Sequence, residues 1–134
     1  MDWQYERGEG RYKHRWKEDY AGFRPSRKGP IGKCPQHIND ELAQEILNDG
    51  IPFWESEDDH ENGAFPDRIY AVYQGVIYEA VPTTPGDSYH GYPWRGDLPG
   101  RPRLPSSIMS ALKAKAQAEG TLKEFERWLK KYGG

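Results

Sequence analysis

The chain has 134 residues, with 19 Lys and Arg against 21 Asp and Glu, a formal net charge of −2, 15 Gly, 11 Pro and one Cys. That length predicts a single domain over residues 1–134, and one cysteine excludes an internal disulfide framework. No run approaches the roughly 18 apolar residues of a membrane span and no apolar stretch follows Met1, so we expect a cytoplasmic protein with no membrane partner.

Charge is distributed unevenly along the chain. Residues 1–33 hold nine Lys or Arg and five Asp or Glu, residues 34–67 hold ten Asp or Glu and no Lys or Arg, and residues 68–134 hold ten and six. One interpretation is that these segments neutralise each other in the fold. The other is a basic surface that binds RNA or another polyanion, with the acidic block elsewhere on the molecule.

The basic N-terminal segment, residues 1–33, is also rich in aromatic side chains. Tyr12, Trp16 and Tyr20 recur every four residues, which in a helix would place them on one stripe facing the core. Stacking on nucleic-acid bases is the alternative. Five Pro or Gly residues then predict a loop over 23–35.

A helix is predicted over residues 40–48. Asn39 is a favourable N-cap, two carboxylates occupy the first turn, and Gly50 would end the helix. The acidic residues 55–63 that follow predict a solvated loop. A divalent-metal cluster is the alternative, but the segment lacks the glycine and ligand spacing of a calcium-binding loop.

Residues 68–81 carry the strongest strand signal. Two runs rich in β-branched and aromatic residues flank Gln74 and Gly75, which predicts a tight hairpin with Tyr73 opposite Val76 and Val72 opposite Ile77. Both faces are mostly apolar. Because an isolated hairpin is marginal in water, helices must cover it.

The remaining residues predict a long loop followed by two helices. Residues 82–105 contain six Pro and four Gly, which predicts an irregular segment of a length that is usually functional. Helices are predicted over 106–118 and 122–132, the second with a capping box formed by Thr121 and Glu124. The fold class is therefore α+β: a small antiparallel sheet centred on the 68–81 hairpin, packed by helices 40–48, 106–118 and 122–132.

The long loop holds the richest set of reactive side chains, between residues 83 and 103. His90 is suited to proton transfer because an imidazole ordinarily titrates near neutrality, and Arg95 to holding a phosphate through a bidentate pair, so these two are the predicted catalytic residues. The predicted substrate-binding residues supply hydroxyls, aromatic rings for base stacking and further guanidinium groups: Thr84, Ser88, Tyr89, Tyr92, Trp94, Arg101 and Arg103.

The second acid or base group is left open by the sequence. His37, His14 and Glu79 are candidates if the fold brings them close to His90. Cys34 and His37 also have the spacing of half a metal site, which His60 and His90 could complete as a zinc centre. Because a second pair of that spacing is missing, we expect neither a metal nor another cofactor.

A family resemblance rests on three features between residues 33 and 95. These are the acidic middle, the hairpin sequence Arg-Ile-Tyr-Ala-Val-Tyr-Gln-Gly-Val-Ile-Tyr-Glu-Ala and the Ser-Tyr-His-Gly segment. In these the chain resembles the small C-terminal toxin modules of bacterial polymorphic toxins. Many such modules are compact α+β nucleases, so the resemblance implies a nuclease-like activity.

Two functional hypotheses follow. The first is an RNase-like or nucleic-acid-binding toxin-type module with a metal-independent site in residues 83–103. The second is a non-enzymatic interaction module of the immunity or adaptor type. In that case the acidic segment 55–61 and the aromatic loop would bind a protein partner.

Overall fold

A β-hairpin is the centre of the protein, as the sequence predicts. The computed structural model describes residues 3–6, 14–100 and 103–133. Within those ranges seven strands and four helices form an α+β fold. The strands are β1 (Gln4–Tyr5), β2 (Gly22–Arg24), β3 (Ile31–Lys33), β4 (Ile51–Phe53), β5 (Arg68–Tyr73), β6 (Val76–Thr84) and β7 (Ser88–Pro93). The helices are α1 (Asp40–Asn48), α2 (Glu57–Glu61), α3 (Ser106–Glu119) and α4 (Leu122–Tyr132).

Five strands form one curled sheet in the order β1-β7-β6-β5-β4, and β2 pairs with β3 separately. Strand β1 runs parallel to β7, and the other pairs are antiparallel. Strands β5 and β6 pair with Tyr73 opposite Val76, the predicted register. Gln74 and Gly75 both have positive φ, 51° and 81°, a turn geometry that matches the right-handed twist of the flanking strands.

Helices α3 and α4 cover one face of the hairpin. Val72 of β5 and Ile77 of β6 pack there against Leu112 of α3 and against Phe125 and Trp128 of α4. Burying side chains of this size contributes about 2 kcal/mol each, so the helical pair supplies the cover that the hairpin needs. In the described ranges, no helix combines the length and the apolar character needed to cross a bilayer.

Helix α1 covers the opposite face, where Leu47 lies in a second core cluster with Ile69, Ala80 and Tyr89. Residues Ile69 and Ala80 alternate along their strands with Val72 and Ile77, which explains why they reach the other side of the sheet. The prediction that both faces of the hairpin are covered is confirmed.

Helix α1 begins and ends at the predicted residues, Asp40 and Asn48. The side chain of Asn39 accepts a hydrogen bond from the backbone N–H of Leu42 at 2.8 Å. Gly50 directly follows the C-cap residue Asp49, at the predicted position, but its φ is not positive. Close packing is the reason for a glycine here, because a Cβ at Gly50 would lie 2.4 Å from Cγ2 of Ile69.

The predicted capping box at the start of α4 is wrong. Thr121 makes no side-chain cap hydrogen bond. Its hydroxyl donates instead to the carbonyl oxygen of Ala116 at 3.3 Å. Gly120, left-handed with φ 80°, turns the chain back over the end of α3. Thr121 therefore ties the two helices together.

The prediction that residues 82–105 form one loop is wrong in its first half. Strand β6 continues to Thr84 and β7 occupies Ser88–Pro93, with a turn between them. Pro82 and Pro93 favoured a loop in the sequence, but each lies at a position where a strand tolerates proline. Pro82 lies at an irregularity in the β6–β7 register and Pro93 is the last residue of its strand.

The aromatic stripe expected in the N-terminal segment does not form a helix over its described part. Tyr12 lies outside the described residues. Trp16 and Tyr20 meet edge to face, with ring centroids 5.2 Å apart, and the indole N–H of Trp16 donates to the carbonyl oxygen of Tyr20 at 3.0 Å. Tyr20 is 59% exposed. This pair therefore stabilises a surface bend and not the core.

The acidic segment 55–63 is also more regular than expected. Residues Glu57–Glu61 form α2, which buries none of its side chains. The segment is exposed to solvent, as predicted, but it is a short helix.

Candidate active site

A cleft of about 560 Å³ opens between β7 and the segment that contains β2 and β3. Its volume is typical of a small-ligand site. The lining residues are His14, Phe23, Ser26, Arg27, Lys28, Gly29, Pro30, Ile31, Gly32, His90, Tyr92, Pro93, Arg95 and Leu98.

The lining of the cleft is positively charged. Arg27, Lys28 and Arg95 contribute three permanent cations, and His14 and His90 contribute two imidazoles. None of the lining residues in the part of the chain that the structure describes is an Asp or Glu. A concave surface with one sign of charge concentrates ligands of the opposite sign, so the cleft is suited to an anion.

His90 lies on β7 with its ring held by a short chain of hydrogen bonds. Its Nδ1 is 2.8 Å from Oγ1 of Thr83. That hydroxyl donates its hydrogen to the carbonyl oxygen of Glu6 at 3.0 Å. Since a hydroxyl has one hydrogen, Thr83 must accept from His90, which assigns the imidazole proton to Nδ1.

His14 approaches His90 from the opposite wall. Their rings are nearly parallel, with centroids 6.2 Å apart and an interplanar angle of 16°. The Nδ1 of His14 lies 2.7 Å from the carbonyl oxygen of Gly32, an atom that can only accept. This hydrogen bond also assigns a proton to Nδ1 of His14. His14, a candidate second group, is thus brought to His90.

A buried carboxylate positions the third ring of the site. Glu79 is 2% exposed, and it lies directly opposite Tyr70 on one side and Tyr92 on the other. It accepts hydrogen bonds from the hydroxyls of Tyr70 at 2.8 Å and Tyr92 at 2.7 Å, and the Nε of Arg68 is 3.7 Å away. The ring of Tyr92 is 5.1 Å from that of His14. Glu79, another candidate second group, acts as a structural anchor for Tyr92.

Arg95 lines the cleft but is already part of a closed cluster. Its guanidinium donates to both carboxylate oxygens of Asp97, at 2.6 and 3.3 Å. It also lies 5.0 Å from the ring centroids of Phe23 and of Tyr132. The hydrogen bond from Arg95 lowers the pKa of Asp97 below its ordinary value. Arg95 therefore joins β2 to the end of α4, in addition to lending charge to the cleft.

Three predicted binding residues lie in the interior. Ser88 is 0%, Tyr89 1% and Trp94 2% exposed. The hydroxyl of Tyr89 donates to the carbonyl oxygen of Pro66 at 2.6 Å, and burial raises the pKa of this phenol to about 12. Because core packing occupies both rings, neither Tyr89 nor Trp94 offers a face to a base in this structure, which corrects their predicted stacking role.

The other predicted binding residues divide between surface and cleft. Thr84 and Arg103 are exposed and do not line the cleft. Arg101 lies outside the described residues. Of the predicted set, His90, Arg95 and Tyr92 share the cleft.

The remaining candidate second group, His37, is held elsewhere. Its Nδ1 lies 2.5 Å from a carboxylate oxygen of Asp19, and its Nε2 is 3.4 Å from the hydroxyl of Tyr73. The hydrogen bond from His37 lowers the pKa of Asp19. His37 does not line the cleft.

The members of the alternative zinc centre have separate surroundings. Cys34 is partly buried, and this burial raises the pKa of its thiol to about 12. His60 stacks on Trp54 with centroids 4.0 Å apart. Over the described ranges, no three His, Cys, Asp or Glu side chains converge as metal ligands.

Sequence reasoning missed Arg27 and Lys28 as site residues. They form the turn between β2 and β3, flanked by Pro25 and Pro30, and Gly29 follows with φ 112°. A basic pair within a turn fixed by proline and glycine was the available signal, since such a turn holds its side chains at one place on the surface.

No family model, curated protein or solved structure matches this chain.

Proposed function

We propose that the protein is a metal-independent, RNase-like module that binds single-stranded RNA in the cleft. The observation that carries this proposal is the pairing of His14 and His90, 6.2 Å apart, in a cleft that also holds Arg27, Lys28 and Arg95. Imidazoles are the side chains best suited to moving protons near neutral pH, and guanidinium and ammonium groups bind phosphate. This combination is the minimum that phosphodiester cleavage without a metal needs.

Recognition of unpaired bases is assigned to Tyr92. Its ring lines the cleft while its hydroxyl is held by Glu79, so the ring is fixed in place before a ligand arrives. Stacking on such an aromatic ring contributes about 1–3 kcal/mol per base and tolerates any sequence. Arg27 and Lys28 supply the phosphate contacts, and the charge of Arg95 supports them.

Incubation with RNA in EDTA tests the proposal. We expect wild type to degrade a single-stranded oligoribonucleotide, and His90→Ala to lose at least about a hundredfold in rate, as is typical for removal of an acid–base group. His60→Ala is the matched control because His60 stacks on Trp54 and does not line the cleft. Intact RNA with wild type, or equal losses in both variants, would refute the proposal.

The phosphate contacts are tested separately by binding. Arg27→Ala and Lys28→Ala should each weaken RNA binding and reduce its salt dependence by about one unit of slope. Lys113→Ala, on the exposed surface of α3, should change neither. Affinity that does not fall with added salt would contradict a cationic binding site.

A toxin role in the bacterial cytoplasm follows from the proposed activity and from the family resemblance. Expression of wild type in bacteria should then arrest growth and degrade cellular RNA, and His90→Ala should relieve both effects. Normal growth at equal expression would remove the toxin part of the proposal.

The alternative function is a protein-interaction module that uses the acidic segment. Helix α2 leaves all its side chains in solvent, and Phe65 beside it is 41% exposed. These features suit contact with a basic partner. Stable capture of such a partner by a protein that leaves RNA intact would favour this alternative.

A further inference from the structure

We infer that the basic face of α4, formed by Lys123, Arg127, Lys130 and Lys131, is a second phosphate-binding surface that continues from the cleft. The ligand is then a single-stranded RNA longer than the cleft alone can hold. The inference rests on the proposed function, since the cleft must bind RNA for the strand to continue over α4. Three observations support it: the charge of this face, its connection to the cleft, and the contacts of its side chains.

The four cations of the basic face lie side by side. Positions three, four and seven apart share one side of a helix, and all four side chains are exposed. The two carboxylates of the helix, Glu124 and Glu126, lie at the edges of this face. The basic face therefore concentrates positive charge in one place, which attracts a polyanion.

The helix dipole explains only part of this charge. Lys130 and Lys131 lie in the last turn, where a cation is favourable. Lys123 lies in the first turn, where a cation is unfavourable, and Arg127 lies between the two ends. A polyanion that contacts the helix along its length would offset the cost of placing a cation in the first turn.

The C-terminal end of the basic face is fixed beside the cleft. The ammonium group of Lys131 lies 5.3 Å from the ring centroid of Tyr132. That ring meets Phe23 of the cleft with centroids 4.8 Å apart, and the guanidinium of Arg95 lies 5.0 Å from it. The backbone N–H of Gly96 also donates to the carbonyl oxygen of Tyr132 at 2.8 Å. A strand that leaves the cleft beside Phe23 and Arg95 therefore reaches Lys131 next.

The basic face differs in its contacts from other cations of the chain. Ion pairs with carboxylates hold Arg15, Arg68, Arg95 and Lys115. Over the described ranges, no such ion pair includes a cation of the basic face. Because a paired cation is already partly neutralised, the basic face offers more of its charge to a phosphate than those four side chains do.

The dimensions of the two surfaces suit one continuous strand. The cleft, at about 560 Å³, has the volume of a small-ligand site, so a longer strand must continue over the surface of the protein. The interval from Lys123 to Lys131 adds about 12 Å along the helix axis, at about 1.5 Å per residue. Contacts of this kind reach phosphates and not bases, so the basic face adds affinity without adding sequence preference.

Binding of RNA strands of two lengths tests the inference. A trinucleotide is compared with a strand of about twelve nucleotides, both made of 2′-O-methyl RNA, which resists cleavage. We expect Arg127→Ala and Lys131→Ala each to weaken binding of the long strand about three- to tenfold and to reduce its salt slope by about 0.7, because one phosphate contact is lost. The trinucleotide should bind both variants as it binds wild type. Lys113→Ala is the matched control, since it removes an equal charge from an exposed position of α3, and it should change neither affinity.

The inference is overturned if the long strand binds Arg127→Ala and Lys131→Ala as tightly as it binds Lys113→Ala, or if the trinucleotide is weakened as much as the long strand. An acidic peptide whose binding depends on Arg127 and Lys131, while that of the long RNA does not, would assign the basic face to a protein partner instead. Each of these results leaves RNA binding in the cleft standing, and Arg27→Ala should still weaken both strands. A wild type that binds neither strand removes both proposals.

Discussion

The same face of the central sheet has two halves with opposite chemistry. Near the hairpin turn, Val72 and Ile77 meet the apolar sides of α3 and α4. Towards the other end of the strands the same face presents Glu79, His90 and Tyr92, and the segment around β2 and β3 lies against it. Strand alternation decides which side a residue faces. The element that covers that side decides whether the residue belongs to a core or to a site.

The two covers differ in how they are built. Helices α3 and α4 present apolar side chains to the sheet, so this half of the face is a packed hydrophobic core. The β2–β3 pair is short, and its turn carries Arg27 and Lys28. This cover leaves a cleft lined by Arg27, Lys28 and Arg95 and by the imidazoles of His14 and His90.

The largest expected effect is on the labelling rate of Cys34, which tests whether the segment around β2 and β3 that covers the cleft opens in solution. Cys34 directly follows β3, and burial raises the pKa of its thiol from 9.0 to about 12. At pH 8 we expect iodoacetamide to modify native Cys34 roughly a thousandfold more slowly than the same chain in urea, because each pKa unit lowers the thiolate fraction about tenfold.

The same thiol gives a pH prediction. Because its folded pKa is raised, its contribution to stability is complete below pH 9 and is lost as pH rises towards 12. Cys34→Ala should reduce that alkaline loss in a urea titration, and it serves as the blank for the labelling. Equal labelling rates in native and unfolded chains would mean that the segment around β2 and β3 opens freely, in contrast to the packed helices α3 and α4.

A cavity in the core beneath α3 and α4 should reduce the stability of the protein and leave its activity unchanged. Leu112 is 0% exposed among the residues of this core. Leu112→Ala should lower the free energy of unfolding by about 3 kcal/mol, measured from the urea midpoint. RNA cleavage per folded molecule should be unchanged. A matching fall in cleavage would show that the two halves are coupled.

A substitution beside the cleft should lower both the free energy of unfolding and the affinity for RNA. Glu79→Gln weakens two hydrogen bonds and leaves Arg68 without its buried counter-charge, so we expect a loss of about 2 kcal/mol. Because the hydrogen bond that anchors the ring of Tyr92 is weakened, RNA affinity should also fall. Tyr70→Phe removes one of the two phenol bonds and should cost less stability with RNA affinity kept. Unaltered affinity in Glu79→Gln would contradict the anchoring role of Glu79.

The smallest effect concerns the cluster where the two halves meet. Asp97→Asn should lower stability by about 0.5–1 kcal/mol, since its pair with Arg95 is partly exposed. The pKa of Asp97 is lowered in the folded chain, so its contribution is present above the ordinary carboxyl pKa and is lost as pH falls through the folded value. Urea titrations of both proteins should therefore converge in acid; a constant gap would contradict this account.

The hairpin and the helices that cover its two faces could be predicted from the sequence because their signals are local. The hairpin register and helices α1, α3 and α4 follow from patterns of a few neighbouring residues. Strand β7 was missed because Pro82 and Pro93 read as loop residues until their places at a register irregularity and a strand end are known.

The site was only partly predictable because it depends on distant pairing. His90 was identified from its residue type, but nothing local connects it to His14 on another segment. Tyr89, Tyr92 and Trp94 have the same composition signal, although two are buried and one lines the cleft. The alternation of side chains along β7 places Tyr89 and Tyr92 on opposite faces of the sheet, and Trp94 lies just beyond the strand end. This difference could not be predicted while residues 88–93 were interpreted as a loop.

The edge strand β1 has a role out of proportion to its two residues. Its neighbour Glu6 holds the hydroxyl hydrogen of Thr83, and through it the imidazole of His90. Without that carbonyl the hydroxyl would be able to rotate and donate to Nδ1, which would move the ring's own hydrogen to Nε2 and exchange the donor and acceptor ends of the imidazole. A chain trimmed ahead of residue 14 would lose β1 from the edge of the sheet and, with it, the contact that fixes the hydrogen on Nδ1 of His90.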